Sequence, residues 1–235
     1  MNKMNVKLFA DGADKDGIME MYKNPFIDGF TTNPTLMKIA GVKDYILFAK
    51  DILKEIKDKP VSFEVFADEL SEMEKQALEI ASWGSNVYVK IPICNTKRES
   101  TGSLIEILSN QNVKLNITAI LTLDQVKTVA NSLNPNQSAF VSVFAGRIAD
   151  TGHDPIPYMK EALKILSPNP KAELLWASPR EVLNVYQAQE IGCHIITATN
   201  SILKKLKLFN KDLDEYSLET VKMFYNDAKK AGYNI

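Results

Sequence analysis

The sequence predicts an α/β fold: a single (β/α)8 barrel followed by an amphipathic C-terminal helix. Three observations carry this. Eight short apolar, β-rich runs recur along the chain, a number and pitch that suit a closed barrel. Segments of helical periodicity separate most of them, the signature of βαβ units and a parallel sheet. The first run ends in Asp11-Gly12-Ala13-Asp14, which lacks the Gly-rich phosphate fingerprint that opens the competing doubly wound sheet.

The expected strands are Val6–Asp11, Phe26–Asn33, Val61–Ala67, Val87–Pro92, Val113–Leu121, Ala139–Ile148, Glu173–Ser178 and His194–Thr199, each rich in β-branched and aromatic residues. Between strands two and three, Lys43–Ile56 places Tyr45, Phe48, Ala49, Ile52, Leu53 and Ile56 at spacings of three and four, which is one face of a helix. Ser71–Ala81 repeats the pattern with Met73, Ala77, Leu78 and Ala81. Ser103–Leu108, Leu123–Leu133, Pro157–Leu166 and Arg180–Glu190 follow in turn. The tail, Lys211–Gly232, carries Leu218, Val221, Phe224, Tyr225 and Ala228, an apolar stripe that either covers the barrel or meets a neighbouring subunit. No Pro-, Gly- or Ser-rich linker interrupts the chain, so residues 1–235 read as one domain.

Charge excludes some partners. The 28 Lys and Arg against 29 Asp and Glu give a net charge of −1. No basic field is available for nucleic acid, and no polybasic run for a membrane surface. Lys204-Lys205-Leu206-Lys207 is too short a run to change this. No apolar stretch approaches the ~18 residues of a spanning helix. Cys94 and Cys193 belong to no paired motif, and no His/Cys/Asp cluster suggests a metal. Free thiols in a reducing, cytoplasmic compartment are the expectation.

Lys90, in Val87-Tyr88-Val89-Lys90-Ile91-Pro92, is the residue least at home in its surroundings. A buried ammonium is costly unless it is paired or sheds its proton, and a desolvated amine is a nucleophile for carbonyl carbon. A strand-end lysine can also snorkel to solvent, and Lys90 alone does not decide between the two. Other strands decide it. Asp11, Thr31 with Asn33, Glu64, Asn116 with Thr118, Ser142 with Arg147, and Ser178 with Arg180 all stand at or near strand ends. In such barrels that end carries the chemistry. Glu64 and Asn116 sit inside apolar runs, where buried polar groups need partners. One amine with two carboxylates is a workable set for imine formation and proton transfer.

Four segments then resemble one family in its own order. Gly29-Phe30-Thr31-Thr32-Asn33-Pro34-Thr35-Leu36 resembles the transaldolase strand-two motif, and Val87–Pro92 its Schiff-base strand. Ser142-Val143-Phe144-Ala145-Gly146-Arg147-Ile148 resembles the strand-six phosphate segment, and Trp176-Ala177-Ser178-Pro179-Arg180 the strand-seven Ser-x-Arg motif. The resemblance spans about Leu8 to Leu203 and is to the short branch, which holds transaldolases and a fructose-6-phosphate aldolase.

It implies a set of roles. Lys90 forms the imine with a ketose phosphate. Asp11 exchanges the C4 hydroxyl proton. Glu64 and Thr118 hold the water of imine formation and hydrolysis. Asn33 and Asn116 bond the hydroxyls of the three-carbon enamine, Thr31 and Ser142 line the pocket, and Arg147, Ser178 and Arg180 take the phosphate. It further implies sugar-phosphate substrates, no cofactor, a place in carbohydrate metabolism of the pentose phosphate type, and a homo-oligomer, in this branch a decamer. Glu64 stands where the aldolase branch has glutamine, which favours the transferase. An aldolase releasing free dihydroxyacetone, a transaldolase for a modified sugar phosphate, and a barrel reduced to binding are the alternatives.

The chain departs from the pattern at Phe30, at Ala145, at Pro179, which removes a backbone donor, and along Ile93–Glu99, where Lys97 and Arg98 add charge. His153 reads as an exposed loop residue, His194 as structural, Trp83 and Trp176 as packing.

Overall fold

The computed structural model describes residues 4–233. Residues up to Leu203 make one compact unit, and residues from Lys204 onward a second. The first is a closed barrel of eight parallel strands: β1 (Lys7–Asp11), β2 (Ile27–Thr31), β3 (Val61–Glu64), β4 (Val87–Pro92), β5 (Leu115–Ile120), β6 (Ala139–Val143), β7 (Ala172–Trp176) and β8 (Ile195–Thr199), with β8 pairing back onto β1. The helices that follow the strands are α1 (Lys15–Tyr22), α2 (Pro34–Ile39), α3 (Tyr45–Glu55), α4 (Leu70–Ser82), α5 (Gly102–Asn110), α6 (Leu123–Ser132), α7 (Ala145–Asp150), α8 (Pro155–Leu166), α9 (Leu183–Glu190) and α10 (Asn200–Leu203).

Every expected strand is present, but sequence reading overruns most of their ends. The largest difference is at strand six, expected to run to Ile148. β6 stops at Val143, and Ala145–Asp150 turns into α7, where Ile148 N–H bonds to Phe144 C=O at 3.0 Å. Arg147 therefore stands on a helix beyond the strand. Apolar Phe144, Ala145 and Ile148 around it imitate a strand, and so short a helix leaves little periodicity to read. The helices α1 and α2 escape the periodicity reading for the same reason. Their N-caps were nonetheless written in the sequence: Asp14 accepts from Gly17 N–H, and Asn33, ahead of Pro34, accepts from Leu36 N–H.

Two-residue alternation decides what enters the barrel. Phe9, Tyr88, Phe140, Leu175 and Ile195 pack as an apolar layer, with Phe9 edge-on to Phe140 at 5.4 Å and Tyr88 stacked on Phe140 at 3.9 Å. Gly29 belongs to this layer by default: a Cβ there would fall 2.6 Å from the Phe9 ring. Two residues further along the strands, on the same face, come Asp11, Thr31, Lys90, Ser142 and Thr197. The apolar layer is thus a plug, and the polar layer is its lid side.

The second unit holds a 3-10 turn (Lys204–Leu208) and α11 (Leu213–Ala231). Asp212 caps α11 by accepting from Glu215 N–H at 2.9 Å, and Gly232 closes it at φ 70°, where a side chain is strained. The expected apolar stripe forms, and Leu218, Val221, Phe224 and Tyr225 are exposed. Among the described residues, no helix is long and apolar enough to cross a membrane.

Candidate active site

A cavity of about 550 Å³ opens at the C-terminal ends of the strands. It is lined by Asp11, Thr31, Asn33, Glu64, Lys90, Asn116, Thr118, Ser142, Arg147, Ser178 and Arg180, the eleven residues expected from sequence, and by Thr197 and Thr199 of β8.

Strand register explains the centre. Glu64, Lys90 and Asn116 are direct neighbours on β3, β4 and β5, so three lumen side chains meet in a row. Lys90 is 8 % exposed and Glu64 5 %, and Lys90 Nζ lies 3.9 Å from Glu64 Oε2. The ammonium also donates to the backbone carbonyl of Thr32. Glu64 Oε2 accepts from Thr32 Oγ at 3.0 Å, while Oε1 is buried with no hydrogen-bond partner among the described residues. Burial pushes the Glu64 carboxyl above its ordinary value, and the charge on Lys90 opposes the rise. Asp11 follows the same balance: burial raises it, Lys90 counters, and bonds from Thr31 (2.8 Å) and Asn33 Nδ2 (3.2 Å) help hold the anion.

The amides are already engaged. Asn33 spends Oδ1 as the cap of α2 and Nδ2 on Asp11. Asn116, fully buried, donates from Nδ2 to Ser62 Oγ at 3.0 Å and accepts at Oδ1 from Ser142 Oγ at 2.6 Å. Ser62–Asn116–Ser142 is thus one hydrogen-bonded row across β3, β5 and β6 that fixes the amide plane. Thr118 lines the cavity within a register shift of β5 against β6 between Ile117 and Ile120, where Ala119 takes φ 61°.

Beyond the strands, Arg147 stands over the Phe144 ring at 5.4 Å. Arg180 is bound on one side by Asp150 and donates to Ser178 Oγ at 3.2 Å. Asp150 is held below the usual carboxylate range by the Arg180 guanidinium. Ser178 is at φ 62°, and a Cβ on Gly146 would lie 1.5 Å from the Ser178 carbonyl oxygen. A glycine at 146 is what lets α7 and the loop after β7 touch.

Sequence reasoning missed four residues here. Thr32 supports both Lys90 and Glu64; Ser62 orients Asn116; Thr197 contacts Thr31; Asp150 holds Arg180. Ser62 and Thr197 carried a usable signal, because each is a hydroxyl on the lumen phase of an apolar strand. Thr32 and Asp150 carried none. Of the departures, Lys97 spends its charge on Glu69 at 2.5 Å, and Thr96 ties to Asp68. His153 is an exposed loop residue, and His194 Nδ1 accepts from Leu174 N–H at 2.9 Å, a structural bond. Among the described residues no group of His, Cys, Asp and Glu could hold a metal.

Comparison with known proteins gives the family. The family model described as transaldolase/fructose-6-phosphate aldolase matches residues 8–235. A probable transaldolase of Thermoanaerobacter sp. (strain X514) is 31 % identical over 231 residues, covering 98 % of this chain and all of the relative. One from Methanococcus maripaludis (strain C7) is 33 % identical over 215 residues, covering 91 % of this chain and 94 % of the relative. Among solved structures, a 3-hexulose-6-phosphate synthase superposes with a TM-score of 0.58 at 14 % identity, covering 86 % of this chain and 92 % of that one, a likeness of fold. With the family model spanning nearly the whole chain, the protein belongs to the transaldolase/fructose-6-phosphate aldolase family.

Proposed function

We propose that the protein is a transaldolase that moves a dihydroxyacetone unit from a ketose phosphate to an aldose phosphate through a Schiff base on Lys90. The observation that carries this reading is a single cavity that takes in both the buried Lys90 amine and the guanidinium groups of Arg147 and Arg180. Such a cavity suits a substrate with a carbonyl at one end and a phosphate at the other.

The chemistry follows from the neighbours. The neutral amine of Lys90 attacks the ketone carbon, and the carbonyl oxygen leaves as water. Glu64 supplies and recovers the protons of that exchange, since its raised carboxyl can hold a proton nearer neutrality than an exposed one. Thr118 lines the cavity at the height of Pro92, two residues beyond Lys90, and would help hold the departing water.

The iminium then draws electrons as the C3–C4 bond breaks. Asp11 takes the C4 hydroxyl proton, an aldose phosphate departs, and a three-carbon enamine stays on Lys90. Addition to a second aldose reverses these steps, and hydrolysis frees the new ketose. Asn33 and Asn116 bond the enamine hydroxyls with their remaining N–H hydrogens. Thr31 and Ser142 complete the wall around them. Arg147, Ser178 and Arg180 take the phosphate. Glutamate at position 64 favours the transferase over release of free dihydroxyacetone.

Borohydride reduction in the presence of fructose 6-phosphate tests the reading. It should leave a stable adduct on Lys90, seen by peptide mass spectrometry, and Lys90→Met should abolish both adduct and turnover. Cleavage should require an aldose phosphate acceptor. A Lys90→Met protein with full activity would defeat the proposal.

A further inference from the structure

Asp11 is braced by a chain of two hydroxyls. Thr31 Oγ lies 2.8 Å from Asp11 Oδ1 and 2.6 Å from Thr197 Oγ. A hydroxyl has one hydrogen. If Thr31 gives it to the Asp11 carboxylate, which as an anion can only accept, the second contact must be donated by Thr197. The direction of both bonds is therefore fixed whenever Asp11 is ionised. Thr31 and Thr197 are 3 % and 6 % exposed, so water does not compete freely for either. Strand pairing holds the geometry: β1 lies between β2 and β8, with Asp11 opposite Thr31 and Phe9 opposite Thr197.

We infer that the Thr197 hydroxyl is a positioning group for Asp11, acting through Thr31 to hold its carboxylate ionised and aimed as the proton acceptor. This rests on the reading of Asp11 as the group that takes the C4 hydroxyl proton. When Asp11 gains that proton, the chain can reverse: Asp11 O–H donates to Thr31, and Thr31 donates to Thr197. Thr197 thereby gives the protonated acid a partner as well, and no proton has to leave the site until the second aldose arrives. The charged groups that face Asp11 are Lys90 from β4 and Glu64 from β3; β2 presents Thr31, the cap of α2 presents Asn33, and β8 presents Thr197 and Thr199, all neutral. Thr197 changes no charge in this set, so its removal acts through the hydrogen bond alone.

Thr197→Val keeps the shape and deletes the hydroxyl; Thr197→Ser keeps the hydroxyl. Three readouts separate the roles: kcat and KM for fructose 6-phosphate with an aldose phosphate acceptor, the acid limb of kcat against pH, and the borohydride-trapped adduct on Lys90. The valine variant should lose about fivefold in kcat, the size expected for one net hydrogen bond. Its acid limb should move to higher pH, because the anion of Asp11 has lost support, while adduct yield and KM hold. The serine variant should restore kcat and the limb. Should the valine variant not fold, Thr197→Ala set against Thr197→Ser makes the same comparison. A valine variant with wild-type kcat and limb, or a serine variant that falls as far as valine, overturns the inference. Absence of any Lys90 adduct in the unaltered protein overturns the reaction reading beneath it and is distinguishable from both.

Discussion

Arg180 and Asp150, thirty positions apart, are joined as a fork: Arg180 Nε donates to Asp150 Oδ1 at 2.8 Å, and Nη2 donates to Oδ2. The pair ties the loop after β7 to the end of α7. A third N–H goes from Nη1 to Ser178 Oγ. Three of the five hydrogens of a guanidinium are thus committed, and two remain for an anion. The carboxylate also offsets the positive charge that Arg147 and Arg180 bring to this end of the cavity.

Asp150→Ala should therefore weaken the phosphate end of the site and leave the amine end alone. Both side chains are about half exposed, at 46 % and 49 %, and exposed pairs are weak. A rise of about two- to fivefold in KM for a phosphorylated ketose is expected, with kcat nearly unchanged, as for loss of uniform binding. Asp150→Asn, which keeps an acceptor for Nε, should fall between. Steady-state kinetics check this. A fall in KM would show that Asp150 competes with the phosphate instead of presenting Arg180.

Gly146→Ala should be more damaging than its size suggests. The added Cβ would lie 1.5 Å from the Ser178 carbonyl oxygen, which is backbone and cannot swing aside. Ser178 already sits at φ 62°, so the loop has little room to relax. Forced overpacking of this kind costs about 1–3 kcal/mol. Thermal unfolding should show a Tm several degrees lower, and KM for the phosphorylated substrate should rise as Arg180 moves with the loop.

The residues of the site differ in how far the sequence disclosed them. Lys90, Glu64 and Asn116 were visible because each interrupts an apolar run, and alternation along a strand sends all three to one face. Arg147 was visible as a residue, although its helix was not, since six residues give no periodicity to count. Asp150 and Thr32 were invisible. Their partners lie thirty and fifty-eight positions away, at separations that no local pattern spans. Sequence disclosed eleven residues that line the cavity, and hid most of those that hold them.

The two buried carboxyls set a pH dependence of stability. Burial, the larger cause, places both Asp11 and Glu64 above their ordinary values in the folded protein, against the pull of Lys90. In the unfolded chain they ionise at ordinary values. An acid raised by folding keeps its proton longer in the native state, so its contribution is fully present below the ordinary carboxylate range. It is lost as pH rises through the folded value. Asp11→Asn and Glu64→Gln should each gain Tm relative to the parent at about pH 8 and show little gain at about pH 4, while losing turnover. Thermal melts at the two pH values decide it. A loss of Tm at about pH 8 with little change at about pH 4 would mean that attraction to Lys90 outweighs burial.

Tyr45 should matter to Glu64 without touching the cavity. Its hydroxyl accepts from the Glu64 backbone N–H at 2.8 Å and donates to the Glu64 carbonyl at 3.0 Å, so it clasps the end of β3 from outside the barrel. The ring is held by edge contacts with Phe63, Phe66 and Trp83. Tyr45→Phe would keep that packing and leave a backbone N–H and C=O at the strand end without their partner, at a cost of about 1–3 kcal/mol. Since Glu64 is placed opposite Lys90 by this strand, the loss should reach chemistry as well. Imine formation, followed as the rate of borohydride-trapped adduct, should slow, while KM for the phosphate end holds. A variant that melts lower but traps at the parent rate would assign Tyr45 to the fold alone, and would place the support of Glu64 on Thr32, whose hydroxyl reaches the carboxylate at 3.0 Å.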